Sequence, residues 1–354
     1  MRRVFIAASL CFLALLTVQS PLLGENKHYD IDIFLAHFPE YINKFKSGDS
    51  PGSYSYLPGA PKADLYGSSD MIYLLYSLNM LELSDTDKRQ WARQIQKFQN
   101  AKTGWFGGNA TLHGKEHALA YAIGALKLLG ARPEYPLTFA DKYMASEDIA
   151  RMFDETPWDA VWSGSHIASG IASAFINTGL ASDEWLSEYF NWLELEVDPE
   201  TGYWMRRNDG SKKEKATNHE LGGAFHYYYI YTFSGRPLPY PERIIDATLS
   251  VQQPNGLYDG EIPYCIDLDG VFSLIRAFRQ TDGYRREDVE SSVERTLAAI
   301  ASRLNDPEFV RRSYKDSHKL VGAIVALAEI QGFMPEKLRT PKPLLRSLDF
   351  SPFI

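Results

Sequence analysis

Cysteine is nearly absent from this 354-residue chain, which carries only Cys11 and Cys265. Cys11 falls in a stretch with the layout of a secretory signal: Arg2 and Arg3, an apolar run from Val4 to Val18, then small residues and Pro21. Cleavage between Ser20 and Gly24 leaves Cys265 alone, which excludes an intrachain disulfide and a cysteine-rich zinc cluster. Positive charge is in deficit too. The formal net charge is −8, and losing the two leader arginines takes it to −10, so a uniformly basic nucleic-acid-binding surface is excluded. No later stretch is apolar over the ~20 residues that a span requires. The expectation is a secreted or periplasmic protein with no membrane span once the signal is removed. Strand-like alternation is also scarce.

What is present is helix after helix, with apolar residues recurring at three- and four-residue spacings. The helices come in pairs. The first of each pair is rich in small residues, as in "GSSDMIYLLYSLNML", "EHALAYAIGALKLLG", "SHIASGIASAFINTG", "NHELGGAFHYYYIYTFSG", "DLDGVFSLIRAF" and "SHKLVGAIVALAEIQG". The second is amphipathic and charged, as in "DKRQWARQIQKFQ", "DEWLSEYFNWLELEV" and "REDVESSVERTLAAIASRL". The second pair's partner, "FADKYMASEDIARMF", is less regular. At the head of each small-residue helix stands a polar, titratable side chain: Asp70, His117, His166, His219, Asp269 and His318, separated by 47, 49, 53, 50 and 49 residues.

A period near fifty indicates an array of helical hairpins. Six of them in one compact chain predict an all-α (α/α)6 toroid, small-residue helices inside and amphipathic helices outside. The domain expectation is a signal peptide at 1–24, an N-terminal extension at 25–60, the toroid at 61–335 and a C-terminal tail at 336–354. Outer-to-inner connections such as "DPETGYWMRRNDGSKKEKAT" are long, and they face the end at which the inner helices begin.

The segment "FQNAKTGWFGGNATLHGKEHALAYAIGALKLLG" resembles the repeat of the terpenoid-cyclase and protein-prenyltransferase superfamily. There a Gln-rich helix end and a Gly-aromatic turn precede an inner helix opened by His or Asp. "VDPETGYW" and "SVQQPNGLYDG" repeat the signature. "CIDLDGVFSLIRAF" resembles the Asp-x-Asp-Asp acid motif of class II cyclases, with Asp267 and Asp269 matching and Gly270 in place of the last Asp. The likeness covers roughly residues 60–330. The zinc-ligand order of a prenyltransferase is reversed here, since Cys265 precedes Asp267, and no Asp-Asp-x-x-Asp motif appears. The same barrel serves many secreted carbohydrate enzymes, so the resemblance implies fold rather than chemistry.

In a toroid the six head residues ring the mouth of one cavity, where helix N-termini expose N–H groups and partial positive charge. His219, Asp269, His166, His117, His318 and Asp70 are the candidate catalytic residues, a mixture able to supply both a general acid and a general base. In the bland reading these polar positions are helix caps. The aromatic residues Trp158, Trp162, Trp204, Tyr258 and Tyr264 are candidate substrate platforms, although the Gly-aromatic turns could equally staple outer to inner helices. Glu220 and Asp267 add carboxylates, and Arg206 and Arg207, in "MRRNDGSKKEK", could hold an anionic group at the rim. No metal site is firm. His117, His166, His219, Asp269 and His318 could together take a divalent ion such as zinc, and the cofactor is otherwise unknown.

The leading expectation is an enzyme acting on a polyanionic carbohydrate, with lyase or hydrolase chemistry left open. The alternatives are a cyclase- or prenyltransferase-like enzyme on an isoprenoid, with Asp269 as proton donor, and a non-catalytic toroidal binding module. A deep apolar cavity favours the isoprenoid, and an open polar groove favours carbohydrate. The partner in each enzymatic case is a small-molecule or polysaccharide substrate, not nucleic acid.

Overall fold

The computed structural model describes residues 27–107 and 113–354, and the expected signal peptide lies outside them. Its helices in chain order are α1 (Asp32–Asn43), α2 (Leu65–Ser77), α3 (Asp85–Gln96), α4 (Lys115–Leu128), α5 (Ser146–Asp154), α6 (Val161–Gly164) and α7 (His166–Thr178). They continue with α8 (Asp183–Glu196), α9 (Asn218–Phe233), α10 (Pro241–Val251), α11 (Cys265–Phe278), α12 (Arg286–Leu304), α13 (Pro307–Ser313) and α14 (His318–Phe333). Two short strands, β1 (Tyr29–Asp30) and β2 (Leu338–Arg339), pair in parallel.

The predicted toroid is what forms. Helices α2, α4, α7, α9, α11 and α14 each pack on the next, and α14 packs back on α2 to close the ring. These inner helices are buried along most of their length, as their small and apolar composition requires. Small residues allow the closest approach. A Cβ at Gly322 would lie 2.4 Å from the backbone nitrogen of Cys265, so α14 and α11 meet main chain to side-chain-free Cα.

The outer helices are amphipathic. Helix α3 begins at Ser84, whose hydroxyl accepts from the Asp87 N–H at 3.1 Å, and it buries only Trp91, Ala92 and Ile95. The irregular partner in the second hairpin divides into a 3-10 turn at Ala140–Tyr143 and the short α5, because the Asp148 carboxylate accepts from the Ala145 N–H and restarts the helix there. The stretch expected as an N-terminal extension contributes a further outer helix. Helix α1 buries Phe34, Phe38 and Tyr41, and the Tyr41 hydroxyl donates to the Asp316 carbonyl just ahead of α14.

The C-terminal stretch crosses the far end of the ring. The Leu345 N–H donates to the Ser77 carbonyl and the Leu344 N–H to the Gln331 side chain. Arg276 joins Asp349 at 2.7 Å to the buried Glu329 at 3.0 Å.

The polar residues placed at helix heads are not all there. His166 and His318 open their helices, and His117 and His219 lie in first turns. Helix α2 starts earlier, capped by Asp64, so Asp70 sits in its second turn and is wholly buried. Asp269 likewise lies one turn inside α11.

Gly322→Ala is expected to destabilise the fold by about 1–3 kcal/mol, because backbone rather than a movable side chain blocks the new methyl. A urea midpoint unchanged from wild type would show that α11 and α14 are not so closely set.

Candidate functional site

The N-terminal ends of the inner helices surround a cavity of about 310 Å³, at the small end of the ~300–1,000 Å³ typical of ligand pockets. Phe225, Leu268, Val321 and Ile354 supply apolar wall, Trp162 covers one side, and His117, His166, His219, His318, Asp269 and Cys265 line it together with Asp159 and Ser163 near the mouth. Five of the six predicted catalytic residues therefore share one cavity. Asp70 lies behind it.

Asp269 is 1% exposed, and neither of its carboxyl oxygens has a hydrogen-bond partner among the described residues. Burial, and secondly the neighbouring Asp267, pushes this carboxyl well above the usual range, while the Trp162 indole works weakly in the opposite direction. Burial thus drives Asp269 toward its neutral, protonated form beside a mostly apolar space. Trp162 reaches this position because α9 offers it Gly222, where a Cβ would lie 2.3 Å from the indole ring. The departure from the acid motif has a similar cause. The Tyr258 ring fills the space beside Gly270, 2.3 Å from where a Cβ would stand, so no third aspartate fits.

The opposite wall is histidine. His117 stacks with His113 at 4.7 Å and meets His166 at 4.6 Å, His166 meets His226 at 4.4 Å, and His318 lies 5.0 Å from His113. Burial is the first cause that keeps these rings neutral, with the neighbouring imidazoles adding to it. His113 is brought down to about 4 and His226 to about 3, and His117 and His166 lie well below their ordinary value. The positive ends of the inner helices act in the same direction.

Neutral rings have definite tautomers. Ser165 donates to the Trp162 carbonyl, so it accepts from Nδ1–H of His226 at 2.7 Å. The buried Tyr66 hydroxyl shares a hydrogen bond with Nδ1 of His117 at 2.7 Å. His166 Nδ1 is buried with no hydrogen-bond partner. His318 donates from Nδ1 to Asp70 at 2.8 Å, and Asp70 also accepts from Tyr121 at 2.7 Å and from the Ser317 hydroxyl. Asp70 therefore acts by holding His318 and not at the mouth, where the repeat had suggested it.

Several expected substrate contacts are corrected. Trp158 and Trp204 are buried in the wall behind the site, their indole N–H groups donating to the carbonyls of Phe153 and Leu193. Tyr258 is packed under α11. Asp267 accepts from the backbone N–H groups of Tyr258 and Tyr264 and shapes their turn, and burial pushes it up to about 7 against those donors. Glu220 is paired with the buried Lys213 at 2.8 Å and with Thr217. The basic segment is occupied locally: Arg206 pairs with Glu196 at 2.8 Å, and Arg207 lies 3.8 Å from Asp159. Trp162 keeps its expected place, with the exposed His219 at 5.9 Å and Tyr264 at 6.0 Å beside it at the mouth. Tyr264 itself donates to Asp259 at 2.6 Å.

Two members of the histidine wall stand outside the predicted set. His113 lies in the loop before α4, yet its ring joins the cluster. His226 follows His219 by seven residues on α9, two turns deeper on the same face, a spacing visible in the sequence. Among the described residues, no group of three or more His, Cys, Asp or Glu side chains is arranged to hold a metal ion. No described helix is long and apolar enough to cross a membrane.

No protein-family model and no curated protein matches the chain. Solved structures similar to it include the type II terpene cyclase MstE from Scytonema. The apo form is 12% identical, with 86% of this chain and 98% of that one covered and a TM-score of 0.48. A complex with its substrate, geranylgeranyl dihydroxybenzoate, is 11% identical over 86% and 96% of the two chains, with a TM-score of 0.47. A complex with the product merosterolic acid A is 14% identical over the same shares, also with a TM-score of 0.47. Similarity at this level assigns no chemistry.

The carbohydrate expectation is overturned. The decisive features are the chain's own. Trp158, Trp204 and Tyr258 are packing residues and not sugar platforms. The rim arginines are neutralised by neighbouring carboxylates. The carboxylates expected to pair with Asp269 in a hydrolase are committed elsewhere, Asp70 to His318 and Glu220 to Lys213.

The buried rings are harder to protonate in the folded chain than in the unfolded one. Their contribution to stability is full above about pH 6.5 and is lost as pH falls toward the folded values near 4 and 3. Asp269 has the opposite sign, since its raised value favours folding below the unfolded pKa and the benefit fades as pH rises. In an NMR titration the ring resonances of His113 and His226 should remain in their neutral positions down to about pH 5. Protonation of either near pH 6.5 would mean that the wall is wetter than its packing indicates.

Proposed function

We propose that the chain is a terpenoid-cyclase-like enzyme whose substrate is an isoprenoid, and that Asp269 starts the reaction by protonating a carbon–carbon double bond. One observation carries the reading: a buried carboxyl with no hydrogen-bond partner in ordinary geometry among the described residues, directed into a mostly apolar cavity, and burial drives it toward its protonated form. A neutral acid in such a place has no hydrogen-bond acceptor to satisfy, so its proton is available to a weak π base held against it.

The steps follow from the geometry. The alkene π electrons form a C–H bond with the Asp269 proton, leaving a carbocation on the substrate and a carboxylate on the protein. The cation is attacked by a second double bond of the same molecule, which closes a ring. The faces of Trp162 and Phe225 supply cation–π attraction, and the neutral imidazoles add no repelling charge. Termination removes a proton from the carbon next to the final cation. His318 is placed to accept it, because Asp70 holds its Nδ1 and turns Nε2 away from that bond.

The test is to incubate the protein with a panel of linear isoprenoid alkenes and epoxides in heavy water. Products of unchanged skeleton mass with fewer double bonds and one incorporated deuterium are expected. Asp269→Asn should lower their rate by about 10²–10⁴-fold, the usual worth of a general acid. His318→Ala should retain deuterium uptake while changing which alkene or alcohol is released. Wild-type protein that cyclises none of the panel and incorporates no deuterium would sink the proposal.

A further inference from the structure

The segment Ser347–Ile354 belongs to no hairpin of the ring, yet it enters the ring's centre from the end opposite the mouth. Its path is marked by successive contacts. Asp349 meets Arg276 near the C-terminal end of α11. Asn177, at the end of α7, donates to the Ser351 hydroxyl at 2.9 Å, and α4 makes room with Gly124, where a Cβ would lie 2.9 Å from that oxygen. Tyr73 donates to the Phe353 carbonyl at 3.4 Å. The Phe353 ring is wholly buried and stands edge-on to His117 at 5.1 Å, with Tyr229 at 5.7 Å and His166 at 6.3 Å. Beyond it, Ile354 lines the cavity.

We infer that Phe353 and Ile354 are the floor of the substrate cavity and set the length of apolar chain it accepts. This rests on the reading of the cavity as an apolar substrate site. The walls come from inner helices whose side chains are locked by ring closure. The floor comes from a separate strand of chain, anchored below by Asp349, Ser351 and the Phe353 carbonyl. Its last two side chains can therefore change size without reshaping the ring. Phe353 also covers the inner faces of His117 and His166, so it contributes to keeping them dry.

The experiment uses n-alkanols from octanol to octadecanol, which fill an apolar cavity but contain no double bond to cyclise. Calorimetric affinity for the full-length protein should rise about fourfold per added methylene until the chain meets the floor, and then level off. Ile354→Ala should move the break to a chain longer by about two carbons, and Ile354→Trp should move it shorter. The second change is a loss of room that partial unfolding cannot imitate. Phe353→Ala should extend the range further, provided its melting curve shows a folded protein. A shifted break in a protein that cyclises nothing would uphold the floor and remove the cyclase reading. An unchanged break in both Ile354 variants, in a protein that does cyclise isoprenoids, would overturn the floor alone.

Discussion

Six helices can close around an axis this narrow only where their backbones nearly touch, and that closure is the constraint from which the rest of the structure follows. Gly322 against Cys265 on one side and Gly170 against the Glu116 carbonyl on another leave no room for a methyl group. Small residues at these positions bring α11 to α14 and α4 to α7. Once the ring is closed, the beginnings of α4, α7, α9, α11 and α14 line the same small volume, and most of the polar residues there are withdrawn from water together.

Withdrawal from water inverts the ordinary acid–base order. Asp269 is driven toward its protonated form, while four of the histidines are driven toward their neutral form. Both shifts have one main cause, the cost of placing charge where no solvent reaches it. Two carboxylates that keep side-chain partners are the instructive contrast. Asp70 is supported by His318, Tyr121 and Ser317, and Glu220 by Lys213 and Thr217, and each is used to position something else. Asp269 has no such support, which is why the chemistry is assigned to it.

The fold was legible because it is written as repetition. The spacing of Asp70, His117, His166, His219, Asp269 and His318 follows the hairpin period, and alternation of small-residue with amphipathic helices sorts inside from outside. The same regularity misplaced Asp70, because a repeat reports helical period but not where each helix begins. Asp64 caps α2 almost two turns earlier than the pattern suggested. The aromatic residues misled for a different reason. Trp158, Trp204 and Tyr258 lie in loops that face the mouth, and nothing local distinguishes an indole turned toward ligand from one turned into the wall.

The sequence by itself determined the toroid, the end of it that carries the titratable residues, and the absence of a free basic surface, since all three depend on periodicity and composition. Tertiary structure alone decided that Asp269 is buried with no hydrogen-bond partner in ordinary geometry among the described residues, that His113 and His226 join a buried imidazole wall, and that Ile354 from the far C-terminal segment reaches the cavity. Those are properties of burial and of contacts between distant parts of the chain. They arise only when the ring has closed and water has been excluded from its centre.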